Sequence, residues 1–98
     1  MDLSLKGMRA LVCGSSHGIG KEIAIELANE GVEVLLIARN EEKLNSVLNE
    51  LSKKNNQNHR YIVADFENES DLKHKIEKFT SDNKIKIDIL INNSGGPP

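Results

Sequence analysis

Three glycines, Gly14, Gly18 and Gly20, give the stretch Met8–Gly20 the spacing Gly-x-x-x-Gly-x-Gly. A short apolar run, Ala10 to Cys13, leads into it. After it Ile19, Ile23, Ala24, Leu27 and Ala28 recur at i, i+4, i+5 and i+8, the spacing of one helix face. The order is therefore strand, glycine turn, helix N-terminus. That order aims free backbone N–H groups and the positive end of a helix dipole at one spot, where a phosphate is the natural occupant. Gly14 and Gly18 let the backbone approach closely where a Cβ would intrude, and Gly20 permits tight helix–strand contact. Ser15, Ser16 and His17 offer side-chain donors to phosphate oxygens. The plainer reading is a glycine turn that only joins a strand to a helix.

Two other phosphate loops are excluded by particular residues. In the strict Gly-x-Gly-x-x-Gly pattern a third glycine should follow, but Gly18-Ile19-Gly20 continues as Lys21-Glu22-Ile23. The Walker A pattern has its Gly20-Lys21, but Ser15 replaces its first glycine and Glu22 stands where a magnesium-binding hydroxyl belongs. His17, His59 and His74 are scattered, without metal-ligand spacing, and each reads as a surface histidine. Cys13, the single cysteine, reads as a small core residue and rules out an internal disulfide.

The elements that must position the loop follow from periodicity. A first helix spans Gly18–Glu30, with Gly31 as its C-cap glycine. Val32 to Ala38 is apolar except for Glu33, which suits a strand buried on both faces of a parallel sheet. Asn40 is an N-cap, followed by Glu41 and Glu42 at the start of a helix to Ser52, with Leu44, Val47, Leu48 and Leu51 inward. Ser52 to Arg60 is a polar loop, Tyr61 to Ala64 a third strand and Asp65 to Asn68 a turn. A third helix begins at Glu69, with Leu72, Ile76 and Phe79 inward, and ends at Ser81–Asn83. Ile87 to Ile91 is a fourth strand, and Asn92 to Pro98 has loop chemistry. This βαβαβαβ order implies right-handed crossovers and an α/β fold with a parallel sheet.

The 98 residues make one domain at most, 29% charged with net charge −2. No basic patch is present and aromatic residues are few, which argues against nucleic-acid binding. No apolar run reaches membrane-spanning length and Met1–Gly7 has no signal-peptide core, so the expectation is a cytoplasmic protein without membrane contact.

Further along, Asp88-Ile89-Leu90-Ile91-Asn92-Asn93-Ser94-Gly95 resembles the Asp-Ile-Leu-Val-Asn-Asn-Ala-Gly segment of the classical short-chain dehydrogenase/reductases. The glycine loop resembles the same family's Thr-Gly-x-x-x-Gly-Ile-Gly, with Cys13 in place of Thr. Asp65 falls where that family's acid contacts adenine, and Phe66 where the backbone continues the contact. The resemblance covers the whole chain as residues 1–98, the N-terminal half of a Rossmann-type domain. It implies a doubly wound parallel sheet, partial, in strand order 3-2-1-4. It also implies a nicotinamide dinucleotide held by Gly14, Ser15, Ser16, His17, Gly18, Ile19 and Gly20 at its phosphates and by Asp65 and Phe66 at adenine. Asn93, Ser94 and Gly95 would line the adenine–ribose side.

The implied reaction is hydride transfer to or from a carbonyl or alcohol substrate, with a weaker likeness to 3-oxoacyl-carrier-protein reductases. The Ser and the Tyr-x-x-x-Lys that this chemistry needs are missing from these residues: Tyr61 is the single tyrosine and Asp65 stands four positions after it. No catalytic residue is therefore assigned. A nucleotide-binding module without catalysis, or an interaction fragment whose sheet edge recruits a partner, stands as the alternative. At the end of the second strand Ile37-Ala38-Arg39 carries no acid for ribose hydroxyls, and the Arg39 fork suits a 2′-phosphate, with His17 as a second donor. NADP is thus expected over NAD. The open edge of the fourth strand predicts a homo-oligomer.

Overall fold

The computed structural model describes residues 5–14 and 18–93. The elements are β1 (Arg9–Cys13), α1 (Gly18–Asn29), β2 (Glu33–Ala38), α2 (Glu41–Glu50), β3 (Arg60–Val63), α3 (Glu69–Asp82) and β4 (Ile89–Asn92). All neighbouring strands pair in parallel, in the order β3-β2-β1-β4. The expected topology is therefore present, with boundaries shifted by one or two residues.

Strand alternation assigns the core to two faces. Ala10, Val12, Val34, Leu36 and Ala38 face α1 and α2, against Ala24, Ala28, Leu44, Val47 and Leu51. Leu11, Cys13, Leu35, Ile37 and Ile62 face α3, against the partly buried Leu72, Ile76 and Phe79. α3 covers its face alone and has no fully buried residue. Leu90 on β4 is 64% exposed.

The α1 stripe differs from the sequence reading. Gly20, Ala24 and Ala28 are the buried positions, whereas Ile19 is 69% exposed. Small residues thus set how closely α1 lies on the sheet, and Ile19 stands at the rim. The helix ends in a Schellman motif: the Gly31 N–H donates to the Ala28 carbonyl and the Val32 N–H to the Leu27 carbonyl, each at 3.0 Å. Gly31 has φ +87, a conformation that favours glycine, and a Cβ there would have to displace the Asn55 amide, whose Nδ2 lies at 2.9 Å. Asn40 and Asn68 cap α2 and α3, their side chains accepting from the N–H groups of Lys43 and Asp71.

The polar loop before β3 corrects a second expectation. His59 is buried, not at the surface. Its Nδ1 accepts from the Val34 N–H at 3.0 Å and its Nε2 donates to the Ser52 carbonyl at 2.7 Å. The ring is thereby held as the Nε2–H tautomer. β3 starts opposite Leu35, so His59 satisfies a β2 amide one residue before the backbone ladder begins. Gln57, also buried, donates to the Ala28 and Val32 carbonyls. These two side chains tie the loop to α1 and β2.

Arg9 and Glu33 face each other across β1 and β2, with Nε to Oε2 at 2.8 Å. Glu33 Oε1 also accepts from the Asn58 N–H at 3.0 Å. Burial pushes the Glu33 carboxyl up, but the Asn58 N–H, the Arg9 hydrogen bond and the Arg9 and Arg60 charges outweigh it, so the net shift is downward. The resulting stability is fully present above the ordinary glutamate value of about 4.3 and is lost as pH falls through the lower folded value. Glu33→Gln is expected to cost about 1 kcal/mol at neutral pH, discounted because Arg9 is partly solvated. The gap between the two proteins should close under acid. Urea unfolding of both at pH 7 and below pH 4 checks this; a gap independent of pH contradicts it.

Candidate functional site

The parallel ladders bring residues far apart in sequence to one rim. The Ala64 N–H donates to the Ala38 carbonyl at 3.0 Å, the Gly14 N–H to Ile37 at 2.8 Å and the Asn93 N–H to Cys13 at 3.1 Å. Asp65, Arg39, Gly14 and Asn93 thus stand just beyond the carboxyl ends of β3, β2, β1 and β4, in sheet order. Open parallel sheets bind ligands at this end, where strand order reverses, here between β1 and β4.

Gly18 opens α1 with φ +63, and a Cβ built on it meets nothing within 4 Å. Packing of the chain therefore leaves the space above Gly18 open, and its backbone conformation favours glycine. The first turn of α1 has no acid, whereas α2 carries Glu41 and Glu42 there and α3 carries Glu69 and Asp71. An anion at α1 meets no carboxylate in that turn. Ser15, Ser16, His17, Ser94 and Gly95 lie outside the described residues.

Arg39 is exposed and has no ion pair among the described residues. Asp65 is exposed; its Oδ1 accepts from the Glu67 N–H at 2.9 Å and its carbonyl from the Asn68 N–H at 3.1 Å. The turn role of Asp65 is thus real, and its carboxylate still stands on the rim. The Phe66 side chain packs into the α3-side core. Cys13 is buried, and burial pushes its thiol up, away from a reactive thiolate.

One contact at this rim escaped the sequence reading. The Tyr61 hydroxyl donates to Glu41 Oε2 at 2.9 Å. The two residues are 20 apart, and no local pattern pairs them. The β2–β3 register and the start of α2 bring them together. That hydrogen bond, then desolvation and the Glu41 charge, raise the Tyr61 hydroxyl above the usual tyrosine range.

The family model for short chain dehydrogenase matches residues 8–98. The chain belongs to the short-chain dehydrogenase family. It is 40% identical over 89 residues to the very-long-chain 3-oxoacyl-CoA reductase of Mus musculus, covering 91% of this chain and 28% of that protein. It is 36% identical over 92 residues to the 17-beta-hydroxysteroid dehydrogenase type 3 of Homo sapiens, covering 94% and 29%. The L-sorbose reductase of Gluconobacter frateurii, solved with NADPH and L-sorbose, superposes with a TM-score of 0.85 at 31% identity, over 100% of this chain and 37% of that one. The chain therefore spans about a third of the length of these short-chain dehydrogenase relatives. The family's nicotinamide dinucleotide fits the rim observed here: an open space over Gly18, a guanidinium at β2 with no ion pair among the described residues, and carboxamide and carboxylate groups at the outer strands. Among the described residues no helix is long and apolar enough to cross a membrane.

Proposed function

We propose that residues 1–98 form the NADP(H)-binding portion of a short-chain dehydrogenase/reductase, whose complete reaction moves hydride between NADP(H) and a carbonyl or alcohol substrate. The observation that carries this reading is the convergence of Gly14, Gly18, Arg39, Asp65 and Asn93 on one sheet end. Residues 14–20 bind the phosphates, with Ser15, Ser16 and His17 as side-chain donors. Asp65 and the Phe66 backbone bind adenine, and residues 93–95 line the adenine–ribose side. Arg39 pairs with the 2′-phosphate. When bound, the nicotinamide supplies or accepts the hydride.

A 3-oxoacyl substrate is the class suggested by the reductases named above, and cytoplasmic location with homo-oligomeric assembly completes the proposal. The exposed Leu90 and the outer edge of β4 favour one second reading, an interaction fragment that recruits a further strand.

The cofactor part is tested by dissociation constants for NADPH and NADH. A charge-assisted hydrogen bond contributes about 1.5–3 kcal/mol, so a roughly 10- to 150-fold preference for NADPH is expected, abolished by Arg39→Ala. Equal affinities, or a preference that survives the substitution, remove Arg39 from this role.

A further inference from the structure

We propose that Tyr61 is a positioning residue for cofactor choice: its hydroxyl holds the Glu41 carboxylate off Arg39 and so keeps the guanidinium available for a 2′-phosphate. This rests on the NADP(H) reading above.

Asn40 between Arg39 and Glu41 is extended, with φ −98 and ψ 105. Two extended steps place the Arg39 and Glu41 Cα atoms about 7 Å apart, within easy reach of two long, oppositely charged side chains. That spacing permits an Arg39–Glu41 ion pair, yet the structure does not form it. Glu41 Oε2 instead accepts from Tyr61 at 2.9 Å, and Arg39 has no ion pair among the described residues. Tyr61 is well placed for this. Its strand register opposite Leu36 is fixed, and its ring packs against the α1–α2 side of the core. The hydroxyl therefore sits at the start of α2 on a rigid support.

A released Glu41 has three effects of the same sign. It neutralises Arg39, and it places a carboxylate beside the phosphate. It can also accept from ribose hydroxyls, as the acid of an NAD site does. At about 7 Å in largely aqueous surroundings, repulsion between a carboxylate and a phosphate reduces affinity by about 3- to 10-fold.

The experiment titrates the chain with adenosine 2′,5′-bisphosphate and with 5′-AMP, comparing the parent with Arg39→Ala, Tyr61→Phe and the double variant Tyr61→Phe/Glu41→Gln. Ultraviolet titration of the single tyrosine in the parent and in Glu41→Gln accompanies it. The expected result is a parent preference for the bisphosphate, abolished in Arg39→Ala, reduced about 3- to 10-fold in Tyr61→Phe and restored in the double variant. Glu41→Gln should move tyrosine ionisation down in pH. A preference unchanged by Tyr61→Phe but lost in Arg39→Ala overturns the latch and leaves the NADP(H) reading standing. No preference in the parent, or one untouched by Arg39→Ala, overturns that reading and the latch with it. A tyrosine titration unmoved by Glu41→Gln shows that the contact does not operate in solution and overturns the latch by itself.

Discussion

Purified free of other dehydrogenases, the 98-residue chain is expected to oxidise no NADPH with ketone or 3-oxoacyl substrates. Carbonyl reduction of the proposed kind needs a proton donor at the reacting oxygen, and a positioned acid–base group typically contributes about 10²- to 10⁴-fold. Tyr61 is the single tyrosine, and its surroundings act in the wrong direction. A neighbouring lysine would favour the phenolate, but the neighbour here is the Glu41 carboxylate, which raises the hydroxyl. Asp65, not lysine, stands four residues on. The assay follows NADPH absorbance at increasing chain concentration. A rate that scales with the chain and falls in Tyr61→Phe would contradict the assignment of no catalytic residue here.

Leu36→Ala is expected to cost about 3–4 kcal/mol, a large fraction of the stability of a domain this size, which is of order 5–15 kcal/mol. Leu36 is fully buried in the second strand of the sheet, flanked by β1 and β3 and covered by α1 and α2. Its removal leaves a cavity that a four-stranded sheet has no slack to close. The expected fall in Tm is about 15–25 °C. Leu90→Ala serves as the control, because Leu90 is 64% exposed and its loss should stay within about 0.5 kcal/mol. Thermal and urea unfolding of both variants checks the contrast. Equal losses at the two positions would mean that the β4 face is covered in solution, as the interaction reading requires.

Much of this fold was legible because its signals are local. The near-continuous apolar run of Val32–Ala38 announced a strand buried on both sides, and both sheet faces are indeed covered there. Asn40, read as an N-cap, does cap α2 through its side chain. The errors arose where tertiary contacts assign a role to a residue with no periodic signature. Ile19 fitted a helix-face pattern, yet Gly20 and Ala24 occupy the buried stripe, because close packing selects small side chains over large ones. His59 and Gln57 looked like solvated loop residues. They are buried because β3 begins too late to satisfy Val34, and α1 and β2 leave carbonyls facing the loop. The Glu41–Tyr61 contact was invisible for the same reason, since only the β2–β3 register creates it.

The strand-end residues were legible as types, but their convergence is a property of the sheet. The direct test of the central claim is amide chemical-shift mapping of the chain during titration with NADPH. Shifts should concentrate at Gly14, Gly18 to Gly20, Arg39, Asp65, Phe66 and Asn93, along the carboxyl ends of the strands. Shifts confined to the opposite end of the sheet, around Lys6, Gly31 and Asn55, or no shifts at millimolar NADPH, would contradict it.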